Sequence, residues 1–159
     1  MKLVSSTIIA AAMLGAASMA HADSTHEAPP PKQAVTGVTL ASAQQKIDAG
    51  DYRGAIPILT DIIKADPNNA DALNLMGFSL RKTGQTDLAL QYYNKGLALM
   101  PKHLGANEYL GELYVELGQM DKAKERLAVL QAACGNCPQT MDLTAAINKG
   151  PGTKTGAWR

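Results

Sequence analysis

An all-α fold, a stack of helical hairpins, is predicted by three features of the chain. Small residues recur at a 34-residue step: Gly50, Gly84 and Gly118; Ala55, Ala89 and Ala123; Ala43, Gly77 and Gly111, with Pro67 and Pro101 as a fourth column. Between these columns apolar residues keep helical spacing. Aromatics make up only 4% of the chain and Ala and Leu dominate its apolar content, which suits closely stacked helices better than sheets. A fixed period of this length marks an array in which no unit buries its apolar face alone, so neighbours must stack. Such arrays act by presenting a curved surface.

The chain opens with Lys2, a mostly apolar run from Leu3 to Leu14, and Ala20-His21-Ala22. Residues 1–22 therefore read as a signal peptide cut after Ala22, which predicts a periplasmic or secreted protein. The alternative is a retained anchor, but Ser5, Ser6, Thr7, Gly15 and Ser18 interrupt a stretch already short for the ~20 residues a bilayer needs. No cysteine follows this run to carry a lipid. Removing Lys2 leaves 14 basic and 14 acidic residues. That neutral balance draws the chain toward neither nucleic acid nor an anionic membrane surface. Residues 23–38, with Pro29-Pro30-Pro31, lack the apolar density that offsets ordering and read as a disordered linker. Residues 150–159 read as a disordered tail, with the single tryptophan, Trp158, a solvated passenger.

Residues 39–149 are predicted to form the repeat domain. Its units run from about 36 to 69, 70 to 103 and 104 to 137, and a capping helix covers 138–149. In the second unit, Ala72, Leu73, Leu75, Met76, Phe78 and Leu80 give Asp71–Thr83 an apolar face, and Gly84 ends that helix. Leu88, Leu90, Tyr93 and Leu97 do the same for Asp87–Leu99, which Pro101 stops. Gly77 and Ala89 are expected to let the two backbones approach closely. Pro138 suits a first helical turn, and Met141, Leu143, Ala145, Ala146 and Ile147 supply the face that closes the stack.

Asn74-Leu75-Met76-Gly77 through Gly84, then Leu88-Ala89-Leu90-Gln91-Tyr92-Tyr93 to Pro101, resembles a tetratricopeptide repeat. So do Gly50-Asp51-Tyr52-Arg53-Gly54-Ala55-Ile56 to Pro67, and Tyr109-Leu110-Gly111-Glu112-Leu113-Tyr114 to Ala123. The resemblance covers about residues 38–137 and implies an all-α, right-handed superhelical stack of three such hairpins plus the capping helix, with the first helix of each hairpin facing a concave groove. It departs from the family at Ser42 and Lys46, where apolar residues are preferred, so the helix near Thr39–Ala49 is expected to be a solvated, loosely held end. Gly135 also stands where a proline is expected.

By the same resemblance Glu108, Glu112 and Glu116 form an acidic line in the groove, beside Tyr109. Asn74, Phe78, Arg81 and Lys82 hold the corresponding places one unit earlier. Pairing of Glu116 with Arg81 or Lys82 is the competing account of these charges. The family's clamp for carboxyl-terminal peptides is not reproduced, so that ligand is not expected. Nothing in the sequence signals burial of the carboxylates.

Cys134 and Cys137 are the sharpest local feature. Haem attachment would need a histidine where Pro138 stands, and His26 and His103 are isolated from the pair, so no metal site is expected. Two readings remain. One is a disulfide staple between the third unit and its cap. The other is a redox site, with Cys137 just ahead of a helix amino terminus that favours a thiolate. Phosphate loops, Gly-x-Ser-x-Gly and His-Glu-x-x-His are missing. The chain therefore reads as a non-enzymatic adaptor of the cell envelope, without cofactors, binding a segment of another protein in its groove. A redox or redox-sensing protein is the alternative, and self-association a third reading.

Overall fold

Residues 38–152 of the computed structural model are described, and among them there are seven helices and no strand. α1 (Leu40–Asp48) and α2 (Tyr52–Ala65) make the first hairpin, and α3 (Ala70–Lys82) and α4 (Thr86–Leu99) the second. α5 (Leu104–Glu116) and α6 (Met120–Cys134) make the third, and α7 (Pro138–Lys149) packs against both of them. This is the all-α superhelical stack that the resemblance implies. The signal-peptide reading of 1–22, the linker up to residue 37 and the tail from 153, Trp158 included, lie outside the described residues.

The glycine column has a backbone cause. Gly50, Gly84 and Gly118 take φ of +75°, +81° and +72°, the left-handed turn that closes the first helix of each hairpin and that side chains disfavour. Short polar side chains close the starts of α1, α2 and α3. Asp51 accepts from the Gly54 N–H and Asn69 from the Ala72 N–H, both at 2.9 Å. At α1 a full capping box forms: Thr39 Oγ1 accepts from the Ser42 N–H while Ser42 Oγ accepts from the Thr39 N–H. Ser42 thus caps a helix rather than marking a weak one. α1 is solvated as expected, with Lys46 reaching Asp51 at 3.0 Å in an exposed ion pair, but Ala43 and Ile47 are buried and anchor its inner side in the core.

A large apolar cluster runs from Ala43 through Leu59, Met76 and Tyr93 to Leu113. A smaller one joins Val115, Ala123, Leu130, Leu143 and Ala146 around α7. The third small-residue column serves these clusters as sockets. A Cβ at Gly77 would stand 2.7 Å from the Tyr93 ring, so the ring, and not an approach of Gly77 to Ala89, requires glycine there. At Gly111 the guest is Leu143 of the capping helix, 2.5 Å from where a Cβ would be. The same column receives its own hairpin partner in one unit and the cap in the next.

Candidate functional site

α1, α3 and Tyr109 of α5 enclose two adjoining cavities. One of about 400 Å³ is lined by Leu40, Ala41, Gln44, Asp71, Asn74, Leu75 and Tyr109. The other, about 320 Å³, shares Gln44, Leu75 and Tyr109 and adds Ile47, Asp48, Ala49, Gly50, Tyr52 and Phe78. The rings form a wall: Phe78 meets Tyr52 edge-on at 5.8 Å and Tyr109 at 4.7 Å. Lys82 Nζ lies 5.3 Å from the Phe78 centroid and 5.9 Å from that of Tyr52. Burial, and then the nearby Arg81 charge, bring the Lys82 pKa down to about 8.

Asn74 is 5% exposed and borders the larger cavity, and its buried Oδ1 has no hydrogen-bond partner among the described residues. A buried acceptor in that position is costly unless something donates to it. At the rim, His103 Nδ1 accepts from the Ala106 N–H at 3.1 Å and caps α5, which leaves Nε2 to donate to Asp71 at 2.9 Å. This bridge ties the second hairpin to the third beside the cavity.

The predicted acidic line behaves differently. Arg81 Nη1 donates to Glu112 at 2.9 Å, and its Nε and Nη2 to Glu116 at 3.1 and 2.7 Å. A longer bond, 3.4 Å, reaches the Tyr109 carbonyl. The Arg81 and Glu112 side chains are 4% and 3% exposed. Burial alone would lower the Arg81 pKa; its bonds to Glu116 and the surrounding charges outweigh that and hold it above its ordinary value. Burial pushes Glu112 up to about 7 against the pull of Arg81. Glu108, 5% exposed, is pushed up to about 8 by burial, then by Glu112 and by Asp142 of α7. Tyr109 rises to about 12 by burial, then by Glu108 and Glu112. The expectation of unburied carboxylates is therefore corrected for Glu108 and Glu112, which the helices on both sides of α5 cover, while Glu116 stays exposed.

Of the predicted groove residues, Asn74, Phe78 and Tyr109 line the cavities. Lys82 lies across the aromatic wall and borders a third cavity of about 360 Å³ with Asp51, Tyr52 and Arg53. Arg81, Glu112 and Glu116 form an internal ion network, and Glu108 packs toward the cap. The α1 side of the groove was missed, although the repeat carries its signal. Stepping back 34 residues from Asn74, Leu75, Phe78, Arg81 and Lys82 gives Leu40, Ala41, Gln44, Ile47 and Asp48, all five of them cavity-lining. At the far end of the stack, Cys134 and Cys137 form a disulfide. Among the described residues no three His, Cys, Asp or Glu side chains gather as a metal site would.

Two tetratricopeptide repeat models match the chain, over residues 40–102 and 80–147. General transcription factor 3C polypeptide 3 of Homo sapiens is 33% identical over 89 residues, covering 55% of this chain and 10% of that protein. The DnaJ protein P58IPK homolog of Arabidopsis thaliana is 43% identical over 53 residues, covering 33% and 11%. The chain thus spans about a tenth of the length of these relatives. Among solved structures, the Yersinia enterocolitica type III secretion translocator chaperone SycD superposes with a TM-score of 0.62 at 18% identity, covering 69% of this chain and 79% of that one. SycD in complex with a peptide of the translocator YopD gives 0.60 at 20% identity, covering 69% and 84%. The first TPR domain of human RPAP3 gives 0.61 at 18% identity, covering 69% and 90%. At these identities the likeness is one of fold.

Proposed function

Because the chain belongs to the tetratricopeptide repeat family, we propose that it is a non-enzymatic protein–protein interaction adaptor of the cell envelope, holding a segment of another protein between α1, α3 and Tyr109. The observation that carries the reading is the pair of adjoining cavities walled by Tyr52, Phe78 and Tyr109. An apolar side chain of the segment fills the space between Leu40, Leu75 and the rings of Phe78 and Tyr109. Asp71 and Asp48 at the rims favour a neutral or basic segment over an acidic one. The SycD–YopD peptide complex, of the same fold, supports peptide binding as the mode of action. The envelope location rests on Ala20-His21-Ala22, and a mature protein beginning at Asp23 in the exported fraction is the expected result.

A photo-cross-linker placed at Gln44, exposed in the groove, and separately at Lys95, exposed on α4, tests the reading in living cells. Protein adducts are expected from position 44 and not from 95. Adducts confined to 95 would sink it. Adding Leu75→Glu to the Gln44 probe should abolish the adducts while leaving helicity intact.

A further inference from the structure

The turn between α6 and α7 treats its two sulfurs differently. Cys134 is the last residue of α6, at the negative end of that helix, and its Sγ lies 3.4 Å from the Leu130 carbonyl oxygen. Cys137 occupies the N-cap position of α7, at the positive end of its helix. Its side chain accepts no capping bond there, so the first-turn N–H groups of Gln139 and Thr140 face a position a free sulfur could fill. The Thr140 hydroxyl, on a residue 4% exposed, stands 3.5 Å from Cys137 Sγ and 3.6 Å from Cys134 Sγ. Both cysteines are half-buried, and Gly135 and Asn136 between them are exposed, so the bond can be reached from solvent.

From this asymmetry we infer that Cys134 and Cys137 are a thiol–disulfide exchange site, whose co-reactant is a small thiol such as glutathione or the dithiol of another protein. An external thiolate attacks Cys134 Sγ and forms a mixed disulfide. The Cys134–Cys137 bond breaks, and its electron pair leaves on Cys137 as a thiolate. That thiolate rotates toward the open first turn of α7 and accepts from the Thr140 hydroxyl. A second external thiolate attacks the external sulfur of the mixed disulfide and releases Cys134, which takes up a proton and donates its S–H to the Leu130 carbonyl. Two external thiols are oxidised to one disulfide, and the pair is reduced to one thiolate and one thiol plus the released proton. Run backwards, Cys134 loses its proton and attacks an external disulfide, releasing one external thiolate, and the Cys137 thiolate then attacks Cys134 Sγ of the mixed disulfide, restoring the Cys134–Cys137 bond and releasing the second. A staple needs none of this asymmetry, since both its sulfurs are uncharged.

These are the only two cysteines of the chain, so alkylation of the reduced protein at pH 7 reads them separately by peptide mass. An ordinary thiol near pKa 8.5 is only about 3% thiolate at that pH. Cys137 is expected to react about tenfold faster than Cys134. Thr140→Val should cut that ratio at least threefold, and Thr140→Ser should retain it. The same Thr140→Val change should move the exchange equilibrium with glutathione at least threefold toward the disulfide. Equal rates for the two cysteines of the unaltered chain would overturn the proposal without any variant. So would a ratio and an equilibrium that ignore Thr140→Val.

Discussion

The two ends of the helical stack use the same repeat positions for opposite purposes. On the α1 side, positions 40, 44 and 47 carry Leu, Gln and Ile, which leave space in front of Phe78 and Tyr109. On the α5 side, the equivalent positions 108, 112 and 115 carry Glu, Glu and Val, and that space is filled. Arg81 reaches across to two glutamates, and α7 presses Leu143 into Gly111. An array of identical backbones thus becomes a groove at one end and a sealed joint at the other by side chains alone. In these repeats the phase of a residue tells which way it points. Only its neighbours tell whether it is open to a partner.

The comparison breaks most severely if the joint is opened. Arg81→Ala leaves Glu112 buried without its cation and should cost about 3–5 kcal/mol in a urea melt. A change under about 1 kcal/mol would mean that the network is a wet surface feature and the joint no different from the groove. The socket beneath the groove is the next test. Gly77→Ala forces the Tyr93 ring to move, at about 1–3 kcal/mol, with at most about 1 regained from helix propensity. No net loss would show that the Tyr93 ring yields easily.

The smallest effect is a pH dependence belonging to the sealed end. Glu108 has an ordinary value of 4.5 when unfolded and about 8 in the fold, so the folded chain holds its proton to higher pH. Its stabilising effect is complete below about 4.5 and is lost as pH rises through about 8. Glu112 adds the same sign between 4.5 and about 7. Stability should therefore fall between pH 5 and pH 8. Glu108→Gln should flatten the fall and gain on the order of 1 kcal/mol at the upper end. A variant with an unchanged profile would remove Glu108 from the sealed joint.

The fold was legible because it rests on positions with a single physical demand. The Gly50, Gly84 and Gly118 column needs positive φ and little else, and any reader of the period finds it. The site was half legible. Asn74, Phe78 and Tyr109 follow from phase. Ser42 misled, because a capping serine looks from sequence like a residue that weakens its helix, whereas Lys46 is exposed as expected. The burial of Glu108 and Glu112 was hidden for a related reason: a carboxylate on a helix face carries no local sign of the arginine or the capping helix that will cover it. Socket partners were equally invisible, since Leu143 lies 32 residues from Gly111 and outside its repeat unit.

The Thr39–Ser42 capping box has an engineering consequence. Because the Thr39–Ser42 pair satisfies the Ser42 and Thr39 N–H groups from within the segment itself, the capping of the first helix does not depend on what is joined ahead of it. A fusion made in front of Val38 should leave the groove's α1 wall in register, so the repeat domain can be transplanted behind another leader or reporter as a portable binding module.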